Sequence, residues 1–113
     1  MIDDYSEVVE LISKMEAALP IPVYPTKAFV HLMREQGVKV KSKREVLIEK
    51  VIYLGDEGGI GCALTVSKQE EKVFITSLTH LRVKAIHPLA KDIRAYQMRR
   101  KEKLSQINRP GLS

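Results

Sequence analysis

Apolar residues recur at three- and four-residue spacing early in the chain: Val8, Leu11, Ile12, Met15 and Leu19. That spacing lines one side of an α-helix over residues 4–19. Asp4 followed by Glu7 fits a capping box, in which each side chain satisfies a backbone N–H that the helix start leaves free. Pro20 stops the helix. Residues 20–25, PIPVYP, hold three prolines in six positions. Their fixed φ and missing N–H groups predict a stiff, extended connector strapped between two helices. A second helix is predicted over 26–36, with Thr26 as its N-cap and Gly37 closing it in the left-handed conformation. Phe29, Leu32, Met33 and Gln36 share a face there, which reads as core.

The period then changes. VKVK, residues 38–41, alternates apolar and basic positions, as in a short edge strand whose lysines discourage edge-to-edge pairing. The same alternation puts Lys39 and Lys41 on one side, where they could contact phosphates. Three runs rich in β-branched residues follow: 46–54 (VLIEKVIYL), IGCALTVS, and KVFITSLTHLRV. All three read as strands, although SKRE before the first also fits the start of a helix. GDEGG at 55–59 and SKQEE are turns, and links this short predict an antiparallel meander. Ile60, Cys62, Leu64 and Val66, with Val73, Ile75, Leu81 and Val83, would form one apolar wall, which a helix must cover.

The last helix is expected to open at His87 and Pro88 and run to residue 104. Leu89, Ile93, Tyr96, Gln97, Arg100 and Leu104 lie along one side of it. The stripe is apolar as far as Tyr96 and then turns basic, so the second half is expected to project or to meet a partner. Residues 105–113, SQINRPGLS, read as a disordered tail. The expectation is a single α+β domain over 1–104. It has two N-terminal helices, a three-stranded antiparallel meander, and a long C-terminal helix packed on one face of the sheet.

Composition adds little to that outline. With 113 residues, 44% of them hydrophobic and 29% charged, the chain can bury a modest core without staples. Charge changes the picture more. The net charge is +5, but residues 1–18 carry −4, residues 27–50 carry +4, residues 51–78 carry −2 and residues 79–113 carry +7. An acidic head and a basic tail can pair within the fold or across a dimer, or the basic part can form an anion-binding face. Bases in the last turns of a helix also complement its dipole.

Candidate chemistry is sparse. There is no GxGxxG and no Walker-type phosphate loop. His31, His80 and His87 never fall at metal-ligand spacing, and no cofactor is implied. Cys62 is the single cysteine; it excludes an intrachain disulfide, fits a reducing cytoplasm, and sits in an apolar run as a buried residue would. His80 beside Asp56 or Glu57 is the one acid–base pairing that can be drawn, and it lacks a nucleophile and an oxyanion hole. The chain is therefore expected to be non-catalytic; a small enzyme is a further alternative. No stretch approaches the roughly 20 apolar residues of a membrane span. The acidic start is unlike a secretion signal, so a cytoplasmic location is expected.

Two binding readings remain. In the first, the chain is a protein–protein interaction module or homodimer whose apolar surface involves Val38, Val40 and Tyr96. In the second, Lys39, Lys41, Lys43, Arg44, Arg94, Arg99, Arg100, Lys101 and Lys103, with Arg82 and Lys84 beside them, hold RNA or DNA phosphates independently of sequence. A helix before three strands and another after them is similar in element order to double-stranded-RNA-binding domains. The lysine cluster that such domains carry at the start of the last helix is absent: HPLAKD stands there, and the bases come at the far end.

Overall fold

The computed structural model describes residues 3–37, 39–40, 44–65 and 73–107. Helix α1 spans Tyr5–Ala18, with Asp4 Oδ1 accepting from the Glu7 backbone N–H at 3.2 Å. Helix α2 spans Lys27–Glu35, capped by Thr26, whose Oγ1 accepts from Phe29 N at 3.3 Å. Gly37 follows α2 with φ +79°, a conformation that costs glycine little. Helix α3 spans Ala90–Ile107, so it starts two residues later than expected. His87 takes over the capping role, its Nδ1 accepting from Leu89 N and its carbonyl from Ala90 N, both at 3.0 Å. Residues 105–107 belong to this helix and not to a tail; the rest of the expected tail lies outside the described residues.

The architecture is α+β, but the sheet has five strands where a three-stranded meander was expected. The meander is present as β2 (Val46–Tyr53), β3 (Ile60–Thr65) and β4 (Val73–Ser77), paired antiparallel in chain order. Two more strands extend it beyond β2. The proline-rich segment is itself a strand, β1 (Ile21–Pro25), which separates the two N-terminal helices. Its residues alternate inward and outward, with Ile21, Val23 and Pro25 buried. The prolines remove N–H donors, and the pairing is correspondingly staggered: β1 meets β2 through 21–23 and a later short strand, β5 (Leu81–Val83), through 23–25. VKVK falls partly outside the described residues, and its described part, Lys39 and Val40, is not a strand.

The third apolar run is not one strand. It breaks after Ser77 into a 3₁₀ turn at Leu78–His80 and a short strand β5, Leu81–Val83. The order is β4-β3-β2-β1-β5, so the halves of one run sit at opposite edges of the sheet. Four residue steps, Ser77 to Leu81, span at most about 14 Å. The edges of a flat five-stranded sheet would stand roughly 19 Å apart. The sheet must therefore curl, which brings its two open edges toward each other.

The curled inner face carries Ile21, Val23, Ile48, Ile60, Cys62, Leu64, Leu81 and Val83. Val8, Leu11 and Met15 of α1, Phe29 and Met33 of α2, and Ala90, Ile93 and Tyr96 of α3 complete a single cluster with them. On β4 the expected facing is reversed. Phe74 and Thr76 pair with Leu64 and Cys62 on the inner side, whereas Ile75 pairs with Ala63 and points outward. The 3₁₀ turn decides this register, because Leu78 must be swallowed by the core at 1% exposure, and a one-residue shift flips every strand side chain.

Candidate functional site

The acidic head and basic tail meet inside the fold. Helices α1 and α3 lie antiparallel: Glu7 pairs with Arg99, and seven residues further along α1, Lys14 meets Asp92 at 3.3 Å, seven residues back along α3. Lys14 also holds Glu10 at 3.3 Å. These pairs are exposed and contribute little individually. A groove of about 190 Å³ runs between the helices, lined by Glu7, Glu10, Lys14, Asp92 and Arg99 along with Leu11 and Ala95. Each of its charges is already paired, Lys14 being shared between Glu10 and Asp92.

Beyond this groove sits a buried polar cluster. Arg100 is 2% exposed. Its Nη1 donates to Asp3 Oδ2 at 2.9 Å, and its Nη2 donates to the Asp56 carbonyl at 2.6 Å. The same Asp3 oxygen accepts from the hydroxyls of Tyr53 and Tyr96, each at 3.2 Å. Tyr96 in turn accepts from Ile60 N at 2.9 Å. Burial is the main cause that pushes both phenols above their ordinary pKa, reinforced by the Asp3 charge. Among the described residues no buried side-chain polar atom lacks a partner. The β2–β3 turn is shaped to this cluster. Gly59 has φ +65°, and a Cβ there would lie 2.3 Å from the Tyr96 hydroxyl and 2.9 Å from the Arg100 guanidinium.

Arg100 and Tyr96 are therefore corrected as surface residues. Arg100 cannot reach a phosphate, because its guanidinium is spent on Asp3 and the 55–59 turn. Tyr96 cannot dock a partner, because its ring is core and its hydroxyl is bonded on both sides. Arg99 is surface-exposed but is held by Glu7. Lys103 lines a small cleft with Asp3, Asp4 and Glu7. Lys39, Arg44, Arg94 and Lys101 are exposed, and Val40 is half-buried against the core. Val38, Lys41 and Lys43 lie outside the described residues. The sequence did carry a signal for Arg100, since it lies four residues after Tyr96 and seven after Ile93, in register with the apolar stripe.

Gln97, next to this cluster on α3, donates to the carbonyls of Leu78 at 2.8 Å and Leu81 at 2.7 Å. It ties α3 to the 3₁₀ turn and to β5. His80 in that turn directs Nδ1 to Thr76 Oγ1 at 3.0 Å, and its carbonyl accepts from Thr26 Oγ1 at 2.7 Å. Burial, with Lys101 adding to it, lowers the His80 pKa. Burial raises the Cys62 thiol to about 12, which leaves almost no thiolate near neutral pH. Among the described residues no group of three His, Cys, Asp or Glu is gathered to hold a metal ion, and no helix is long and apolar enough to cross a membrane.

What the described surface does present is a set of exposed apolar side chains on the outer sheet face, with Lys50 among them. Ile75 on β4 is 58% exposed, and Leu47 and Leu54, at 39% and 40%, stand on the same side of the meander. β4 is an edge strand, and among the described residues its outer edge pairs with no backbone. Its sequence, VFITS, has no charge and no proline. No protein-family model matches the chain, and neither a curated protein nor a solved structure matches it.

Proposed function

We propose that the chain acts by binding, without catalysis, as a protein–protein interaction module. Its partner is a second copy of the same chain, joined through β4. One observation carries this reading: among the described residues the outer edge of β4 pairs with no backbone, and the strand is uncharged with an exposed isoleucine at its centre. Sheet proteins ordinarily protect such an edge with lysine, proline, a bulge or a covering segment. In a two-fold pair the same patch meets itself, so any charge on the strand would face its own copy. VFITS has none, and antiparallel pairing about Ile75 would satisfy main-chain groups while setting the two Ile75 side chains beside each other. The surface assigned to Val38, Val40 and Tyr96 thus gives way to the β4 edge centred on Ile75.

The catalytic alternative has little support. Cys62 is buried with its thiol protonated, His80 is committed to Thr76, and the paired charges between α1 and α3 leave no free acid or base there. The test is Ile75→Lys. Losing the burial of the exposed half of Ile75 in both chains should weaken the dimer by about 2–3 kcal/mol. That is a roughly 30- to 150-fold rise in Kd before any lysine–lysine repulsion. Size-exclusion chromatography with light scattering should give a dimer for the wild type and a monomer for the variant. A dimer that survives the substitution unchanged overturns this reading.

A further inference from the structure

In the groove between α1 and α3 each charge has a partner of opposite sign. A second cavity, of about 370 Å³, runs along α2 and is lined by Lys27, Val30, His31 and Arg34. These four stand at i, i+3, i+4 and i+7, so they form one face of the helix. Phe29 and Met33 hold another side of it in the core. Lys27 and Arg34 are exposed and make no ion pair among the described residues. His31 lies about one turn from each, and the half-buried Val30 supplies an apolar contact between them. Glu35 is the one acid of α2. It holds His31 Nε2 at 3.1 Å and leaves Lys27 and Arg34 uncompensated.

We propose that this face of α2 docks an acidic helix of another protein. Charge complementarity and helical pitch both select that occupant. Seven residues of helix advance about 10.5 Å. Carboxylates at the same i, i+7 interval on a partner helix therefore meet Lys27 and Arg34 together without either helix bending. A carboxylate at i+4 falls opposite His31, and an apolar residue at i+3 covers Val30. A second copy of this chain does not supply the partner. On α1, its acidic helix, Glu7 and Glu10 are already held by Arg99 and Lys14, which leaves Glu16 alone. The face belongs to α2 and not to β4, so docking does not depend on self-association. Exposed pairs of this kind fix orientation and partner choice more than they add affinity, so the binding is weak and sensitive to salt.

The test is an NMR titration of the full, isotope-labelled chain at about 10 mM salt, where exposed charges are little screened. The probe is an alanine-based helical peptide with glutamates at i, i+4 and i+7 and a leucine at i+3. Its control has the same composition with the glutamates spread around the helix. The first peptide should shift the backbone amides of residues 27–35. Lys27→Gln combined with Arg34→Gln removes two exposed pairs and should weaken binding about fivefold. Both side chains are exposed, so the melting temperature should stay near that of the wild type. The mass by light scattering should also be unchanged, which separates this test from that of the β4 edge. Lys50→Gln combined with Lys91→Gln removes the same charge from exposed positions on β2 and α3 and should bind like the wild type. The proposal is overturned by an absence of shifts on α2, by an unchanged Lys27 and Arg34 variant, by an equal loss in the Lys50 and Lys91 variant, or by equal binding of the control peptide. A single-stranded RNA that shifts the α2 amides more strongly than the peptide would overturn it as well.

Discussion

Replacing Asp3 with asparagine tests whether the buried cluster holds the segment before α1 against α3. The substitution keeps an oxygen for the Tyr53 and Tyr96 hydroxyls and removes only the charge opposite Arg100. Arg100 is 2% exposed, so its guanidinium would be left uncompensated away from water, sharing the cluster with the Asp56 carbonyl. Breaking a buried pair in this way costs about 3–5 kcal/mol. With an unfolding entropy of about 2.1 cal/mol/K per residue, the 113-residue chain has roughly 240 cal/mol/K at its midpoint. The melting temperature should therefore fall by about 12–20 °C. Arg100→Met removes the other charge and keeps most of the volume. Because the double variant leaves no unpaired ion, it should be more stable than Asp3→Asn alone, with a coupling of at least about 2 kcal/mol. Thermal unfolding followed by circular dichroism measures all four corners of the cycle. A fall of less than about 3 °C for Asp3→Asn, or strictly additive singles, would refute the reasoning. Either result would mean that Asp3 does not compensate the Arg100 charge.

Other predictions follow from single residues. Gly59→Ala should cost at least about 2 kcal/mol in chemical unfolding, since it adds a Cβ 2.3 Å from the Tyr96 hydroxyl to a positive-φ position; Gly37→Ala, with nothing within 4 Å, should cost only about 1 kcal/mol. Equal losses would refute the packing argument. Cys62 should resist a thiol reagent at pH 8 in the folded chain and react fully in denaturant, as burial raises its pKa to about 12; prompt stoichiometric labelling of the native chain would contradict this. His80 has a folded-state pKa below the ordinary 6.5. Its contribution is therefore complete above about pH 6.5 and is lost as pH falls through the folded value, because the unfolded chain takes up the proton first. Urea midpoints at pH 8 and pH 5 should differ more in the wild type than in His80→Gln.

The helices were legible because their apolar periodicity and caps agree: Val8, Leu11 and Met15 follow Asp4, and Phe29 and Met33 follow Thr26. Charge patterning raised the pairing of acidic and basic helices as one option, and only the matched spacing of Glu7–Lys14 against Arg99–Asp92 selects it. Two features were hidden for physical reasons. β1 reads as a connector because its prolines remove ladder donors, yet Ile21 and Val23 keep a two-residue period that long-range pairing to β2 and β5 exploits. The 72–83 run reads as one strand because Leu78–His80 carries no glycine or proline to mark the break. The anchoring of Leu78 in the core is a tertiary effect, and it reverses the facing of Ile75. Two of the candidate site residues were misplaced for the same reason. Arg100 and Tyr96 look like a basic, aromatic surface until Asp3 and the 55–59 turn close over them.

The central claim is self-association through β4, and the most direct measurement is the mass of the unaltered chain by sedimentation equilibrium over a wide range of concentrations. The account predicts a reversible approach to twice the 12.8 kDa chain mass as concentration rises. A single species of 12.8 kDa at every concentration would contradict it and leave the exposed edge at Ile75 without its proposed occupant.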